Sequence, residues 1–145
     1  MTSTPDAIAR RWFREVWDEG NEEVIDQMLA PDAIVHGLTG PDGPPMVGAA
    51  QFKPLFHMFR EALGDLTIDV ERTVVQGDTC AAQCRVRGKH VGRALGGEPT
   101  QRPVDFRGVT IMRVRDGKLV EGWNFFDFLT MYQQMGWVGN PVTPA

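Results

Sequence analysis

The sequence predicts an α+β fold in which a curved, mainly antiparallel sheet wraps around N-terminal helices to form a cone with one internal pocket. Three observations lead there. Apolar residues recur at helical spacing up to about residue 63; they alternate with period two from about residue 68 to 126; and the two regimes follow one another along the chain without interleaving. That order suits helices laid on one face of an antiparallel meander.

The elements follow in order. Thr4-Pro5-Asp6 combines a capping residue, a first-turn proline and an acid at the positive end of a helix. Ile8, Ala9, Trp12, Phe13, Val16 and Trp17 then share one face until Gly20 stops the helix. Asn21 caps a short second helix with Val24, Ile25, Met28 and Leu29 on its apolar side, and Pro31 ends it. Ala33 to His36 reads as a short strand. The Gly/Pro-dense run from Gly37 to Gly48 is a loop suited to a pocket rim or lid. A third helix carries Phe52, Leu55, Phe56, Phe59, Ala62 and Leu63, with Pro54 acceptable only in its first turn.

Beyond Gly64-Asp65, Ile68, Val70 and Val74 alternate with polar residues, and Gln76-Gly77-Asp78 turns the chain into a strand from Thr79 to His90. A second Gly/Pro loop spans Gly92 to Pro103. Strands Val104–Val114 and Leu119–Phe126 flank Asp116-Gly117, a strong hairpin signal, and a closing helix runs from about Asp127 to Met135.

A length of 145 residues predicts one domain, with a core at about 8–136 and a tail at 137–145. With 42% hydrophobic residues, 23% charged residues and a net charge of -4, the chain reads as globular. Scattered basic residues argue against nucleic acid, and no apolar run approaches the ~18 residues of a membrane helix. With no secretory pattern at the N-terminus, the expectation is a cytoplasmic protein. Cys80 and Cys84, four apart on one strand, are too distant to pair and are expected as reduced core residues.

Several segments together resemble the SnoaL-like polyketide (ester) cyclases of the nuclear-transport-factor-2-like superfamily. These are Gly88-Lys89-His90-Val91-Gly92, Pro99-Thr100 with Arg102-Pro103-Val104, Phe106-Arg107-Gly108, Asp116 to Trp123, Asp127, and Gln133-Gln134-Met135-Gly136. The resemblance runs from about Ile8 to Gly136. It implies a cystatin-like α+β barrel, no metal or organic cofactor, and a carboxylic acid at Asp127 acting as general acid and base in an intramolecular aldol closure of an apolar carbonyl or ester substrate. On that reading Asp127→Asn abolishes turnover. It also implies a histidine, His36, facing the cavity. One position departs from the family: a carboxylate commonly follows the tryptophan, where this chain has Asn124.

The residues themselves leave alternatives open. Asp127 at a strand-to-helix junction is also a good helix cap, and backbone N–H groups on its carboxylate would oppose an acid role. Arg107 either reaches the pocket mouth or pairs with Asp105 or Glu121. Trp12, Phe56, Phe59, Trp123 and Phe126 are core side chains that together can wall a cavity for a small apolar or aromatic ligand, with His90 and Asn124 as further candidates to touch it. His36, His57 and His90 show no metal-site spacing. The same fold group carries isomerases, dehydratases, epoxide hydrolases and non-catalytic binding proteins, so those readings stand beside the cyclase. Apolar residues on both faces of strands 79–90 and 104–114 suggest a second copy covering the outer sheet face, as in a homodimer.

Overall fold

The computed structural model describes residues 3–139. Helix α1 (Pro5–Arg11) starts at Thr4, whose hydroxyl accepts the Ala7 N–H, and continues as a π-helical stretch over Trp12–Asp18. Helix α2 (Glu22–Met28) leads into β1 (Leu29–His36), then β2 (Met46–Val47), α3 (Gly48–Ala62), β3 (Leu63–Gln76), β4 (Thr79–His90), β5 (Pro103–Arg115), β6 (Lys118–Phe126) and α4 (Phe128–Gln134).

The six strands form one mixed sheet in the order β2-β1-β6-β5-β4-β3. Its pairs are antiparallel except β1 with β6, which is parallel. The α+β class and a pocket against the sheet agree with the sequence, whereas the implied barrel does not close, because β2 and β3 are free edges. β5 shows how the sheet makes its two faces. Val104, Phe106, Gly108, Thr110, Met112 and Val114 are buried and turn inward, while Asp105, Arg107, Val109, Ile111 and Arg113 turn out. On β4 the same alternation buries Cys80, Ala82, Cys84 and Val86. Both cysteines are free, and burial pushes the Cys84 thiol up to about 12.

Four local features differ from the sequence expectation. The segment Trp12–Asp18 is π-helical, and its wider turn gives Trp12, Phe13 and Trp17 room on one buried face. β1 begins at Leu29, so Pro31 sits inside a strand, in the stretch between Leu29 and Ile34 where the register with β6 slips and a missing N–H costs no regular ladder bond. Met46–Val47 pairs with β1 within the predicted loop. α3 begins at Gly48, which places Pro54 beyond the first turn. The lost backbone bond is tolerated because Phe52, Leu55 and Phe56 anchor the helix on both sides of it.

The tail predicted from residue 137 starts out packed. Trp137 stacks on Tyr132 and meets His90 edge to face. Residues 140–145 lie outside the described residues. Among the described residues, no helix is long and apolar enough to cross a membrane.

Candidate functional site

A cavity opens between the helical layer and the concave face of the sheet, with about 90 Å³ of it open to the centres of water molecules. That is room for several waters, or for part of a ligand. Its helical wall is aromatic: Trp12, Phe13 and Trp17 from the π-helical stretch, and Phe52, Leu55 and Phe59 from α3. The sheet contributes Leu63, Leu66, Ile68, Val86, Phe106, Thr110, Met112, Asn124 and Phe126, and α4 contributes Phe128. Phe128 closes an aromatic cluster, its ring 5.7 Å from Phe59 and 6.1 Å from both Phe106 and Phe126. Gly108 makes room for this, since a Cβ there would overlap the Phe126 ring.

The polar part of the wall is a short seam between neighbouring strands. Thr110 and Asn124 face each other across β5 and β6. The Asn124 Nδ2 donates to the His36 carbonyl at 2.9 Å, and the Thr110 hydroxyl donates to Asn124 Oδ1 at 2.8 Å. The carbonyl can only accept, so the amide orientation is determined: Nδ2 faces His36 and Oδ1 faces Thr110. Gly37 permits this close approach. Its φ is +88°, and any Cβ would collide with the Asn124 carbonyl. Asn124, which lines the cavity, is left with one N–H beyond the bond to His36.

Glu121 also borders the cavity, yet its carboxylate is committed elsewhere. A register shift between Arg113 and Val114 puts Glu121 opposite Arg113, on the outward side of the alternation. There its two oxygens accept from Arg113 Nη2 at 3.0 Å and from His36 Nε2 at 2.8 Å. Among the described residues, the wall contains no lysine, arginine or histidine, and no group of three potential metal ligands occurs.

Of the residues singled out from sequence, Trp12, Phe59, Asn124 and Phe126 line the cavity. The others are placed differently. Asp127 is exposed and caps α4: Oδ1 accepts the Thr130 N–H at 3.0 Å and Oδ2 the Thr130 hydroxyl at 2.6 Å. These bonds hold its carboxyl below the usual aspartate range. Strand alternation already turns Asp127 away from the pocket, because Asn124 and Phe126 take the inward positions. His36 is likewise outward, stacked on Trp123 with rings 5.6 Å apart. Trp123 lies beside it on that outer face, opposite Ile111.

Arg107 points outward to Glu71 at 2.8 Å, because its neighbours Phe106 and Gly108 are the inward residues; it pairs with neither Asp105 nor Glu121. Phe56 packs on Trp17 behind the wall. His90 is fully buried away from the cavity: its Nδ1 accepts the Thr100 N–H at 3.1 Å, and its Nε2 has no hydrogen-bond partner. His57 is exposed and meets Glu22, as its position off the apolar stripe suggests. Sequence reasoning missed Thr110. Its signal is a hydroxyl interrupting the inward row Val104, Phe106, Gly108, Met112.

Asp127 therefore has a structural effect that can be measured. Asp127→Ala is expected to destabilise the chain by about 1 kcal/mol, the usual size of a lost cap. Because the folded carboxyl is depressed, its contribution is present above the unfolded value of about 3.9 and is lost as pH falls through the folded value. Urea melts of the variant and the parent should differ at pH 7 and converge toward pH 2. A difference that persists at pH 2 would contradict the assignment.

Three comparisons bear on this geometry. A family model described as SnoaL-like polyketide cyclase matches residues 7–135. The nogalonic acid methyl ester cyclase of Streptomyces nogalater is 28% identical over 121 residues, covering 82% of this chain and 84% of that protein. The aklanonic acid methyl ester cyclase DauD of Streptomyces sp. (strain C5) is also 28% identical over 121 residues, covering 82% of this chain and 71% of its own. Among solved structures, wild-type IdmH from Streptomyces antibioticus superposes with a TM-score of 0.81 at 31% identity, over 92% of this chain and 99% of that one.

Proposed function

The chain belongs to the SnoaL-like polyketide cyclase family, and from that premise we propose that it closes a ring in a neutral, largely apolar carbonyl or ester substrate by intramolecular aldol addition. The observation that carries this reading is an apolar, aromatic cavity lined at one point by Asn124, whose side-chain amide is held by the His36 carbonyl and keeps a second N–H. In such a reaction a carbon next to a carbonyl gives a proton to a water molecule and the enolate carbon bonds to a second carbonyl carbon. The oxygen of that second carbonyl takes up a proton. Substrate and product are isomers, and no electrons are gained or lost. What these residues supply is the folding of the chain so that its ends meet, together with a donor for an oxygen that becomes negative.

The two relatives are named as cyclases of nogalonic acid methyl ester and aklanonic acid methyl ester, and a neutral ester suits this wall. A free carboxylate would lose its hydration without meeting a cation. The test is to incubate the protein with nogalonic acid methyl ester and, separately, aklanonic acid methyl ester, and to follow each by liquid chromatography and mass spectrometry. A new peak of unchanged mass, formed faster than without protein, is expected. A second reading, a binding protein without turnover, is favoured by the outward carboxylate of Glu121 and the capping role of Asp127. It wins if the ester binds and is recovered uncyclised.

We also infer that a second copy covers the outer sheet face. Val74, Ala81, Ile111 and Trp123 form one line across four adjacent strands, and the neighbouring Phe125 is 63% exposed. Several charges near that line are paired within the chain, Arg85 with Asp105, Arg87 with Asp69 and Arg107 with Glu71. The line itself is apolar, and a two-fold copy presents the same apolar line in return. Light scattering should find a dimer for the parent chain and a monomer for Phe125→Glu. A monomeric parent at tens of micromolar would remove the proposal.

A further inference from the structure

Thr110 gives the seam a second function, and we infer that Thr110 and Asn124 together form a subsite for a β-hydroxy carbonyl group, one oxygen accepting and the neighbouring hydroxyl donating. This rests on the cavity being the ligand site, as proposed above.

The argument starts from proton positions. The His36 carbonyl has no proton to give, so Asn124 must turn Nδ2 toward it and Oδ1 toward Thr110. Thr110 must then spend its one hydroxyl proton on that Oδ1, at 2.8 Å. After these two bonds the pair retains one donor, the second Nδ2–H, and acceptor lone pairs on Thr110 Oγ1 and on Asn124 Oδ1. Thr110 is buried and both residues line the cavity, so a ligand seated beside them can meet this donor and the Thr110 oxygen.

The sheet sets their spacing. Thr110 and Asn124 are directly opposed on neighbouring antiparallel strands, which brings their side chains within about 5 Å of each other. Two oxygens separated by three carbons fit that span. A ketone without the hydroxyl would satisfy Asn124 and leave Thr110 Oγ1 facing hydrocarbon. A β-hydroxy ketone would satisfy both, and it is also the oxygen pattern that aldol addition creates. The seam would therefore hold the ring-closed arrangement better than the open dicarbonyl, whose two acceptor oxygens match only one of its groups. The carboxylate that borders the cavity, Glu121, is paired with Arg113 and His36 and makes no hydrogen bond to Thr110 or Asn124.

The inference can be tested with small probes and no turnover. 4-Hydroxy-4-phenylbutan-2-one, 4-phenylbutan-2-one and butylbenzene share an aromatic end and differ in oxygen pattern. Each is titrated into isotopically labelled protein while the Asn124 side-chain amide signals are followed by NMR. The hydroxy ketone is expected to bind about five-fold more tightly than the ketone, the worth of one neutral hydrogen bond. Thr110→Val places a methyl group over Asn124 Oδ1 and should erase that preference, while Thr110→Ser should restore it. The dispersed spectrum of each variant verifies folding in the same experiment. Equal affinities for the two compounds in the parent chain would overturn the inference, as would a preference that survives in Thr110→Val or the absence of binding at millimolar concentration. Ring closure without this preference removes only the subsite, and the preference without ring closure removes only the cyclase.

Discussion

Asn124→Leu is expected to lower kcat/KM for ring closure by about 10² to 10³-fold, with most of the loss in kcat. The range is that of a single oriented donor to a developing oxyanion. A ground-state carbonyl gains little from the amide N–H, whereas the enolate or alkoxide gains much more, so the deficit belongs to the transition state and not to binding. Leucine keeps the volume and the apolar character of the wall, and the cavity should still admit substrate. Its cost in stability comes from the His36 carbonyl and the Thr110 hydroxyl, both of which lose their partner. Asn124→Asp separates electrostatics from shape. It turns an acceptor toward the His36 carbonyl, so a carboxylate there is repelled, and the protonated form is the one that fits. A rate unchanged in Asn124→Leu, measured under single-turnover conditions, would detach the seam from catalysis.

Much of this was legible in the sequence because it follows from periodicity. The helices end where Gly20 and Pro31 predict or within a few residues, and the Asp116-Gly117 turn and the alternation on β4 and β5 match the observed strands. That alternation also settles which residues can face the cavity. Applied to β6, it puts Asn124 and Phe126 inside and Trp123 and Phe125 outside, and on β5 it puts Arg107 outside.

The misplaced residues have specific physical reasons. His36 follows Val35, which is buried, and so faces outward in parallel register with Trp123. Glu121 depends on a register slip near Arg113 that no spacing rule reveals, since Leu119, two residues earlier, is inward. The π-helical turn was also invisible. The buried positions from Trp12 to Trp17 fit an ordinary helix equally well, and the choice is made by packing against Phe52. The polar seam needed three-dimensional information of another kind. Asn124 becomes an oriented donor only because Gly37, left-handed at the end of β1, brings the chain against β6.

Phe52 marks where stability and the cavity meet, and Phe52→Ala should give the largest stability loss of any single truncation in the wall, about 3 to 5 kcal/mol. The side chain is only 2% exposed, and its ring lies 5.3 Å from that of Trp12 and 6.0 Å from that of Trp17. Such a loss is a large fraction of the 5 to 15 kcal/mol typical of a domain. Two features place it at the upper end. The rings of Trp12 and Trp17 sit on a π-helical stretch whose geometry depends on filling that face, and the new space opens into an existing cavity instead of a gap that neighbours can close. Urea unfolding followed by circular dichroism at 25 °C reads the change, with Phe52→Leu as a milder control. The enlarged cavity should also favour bulkier ligands, so an added apolar compound ought to recover part of the loss by mass action in Phe52→Ala more than in the parent chain. A loss below 1 kcal/mol would mean that the aromatic wall collapses onto the vacated space, and that the cavity is held open by the curvature of the sheet alone.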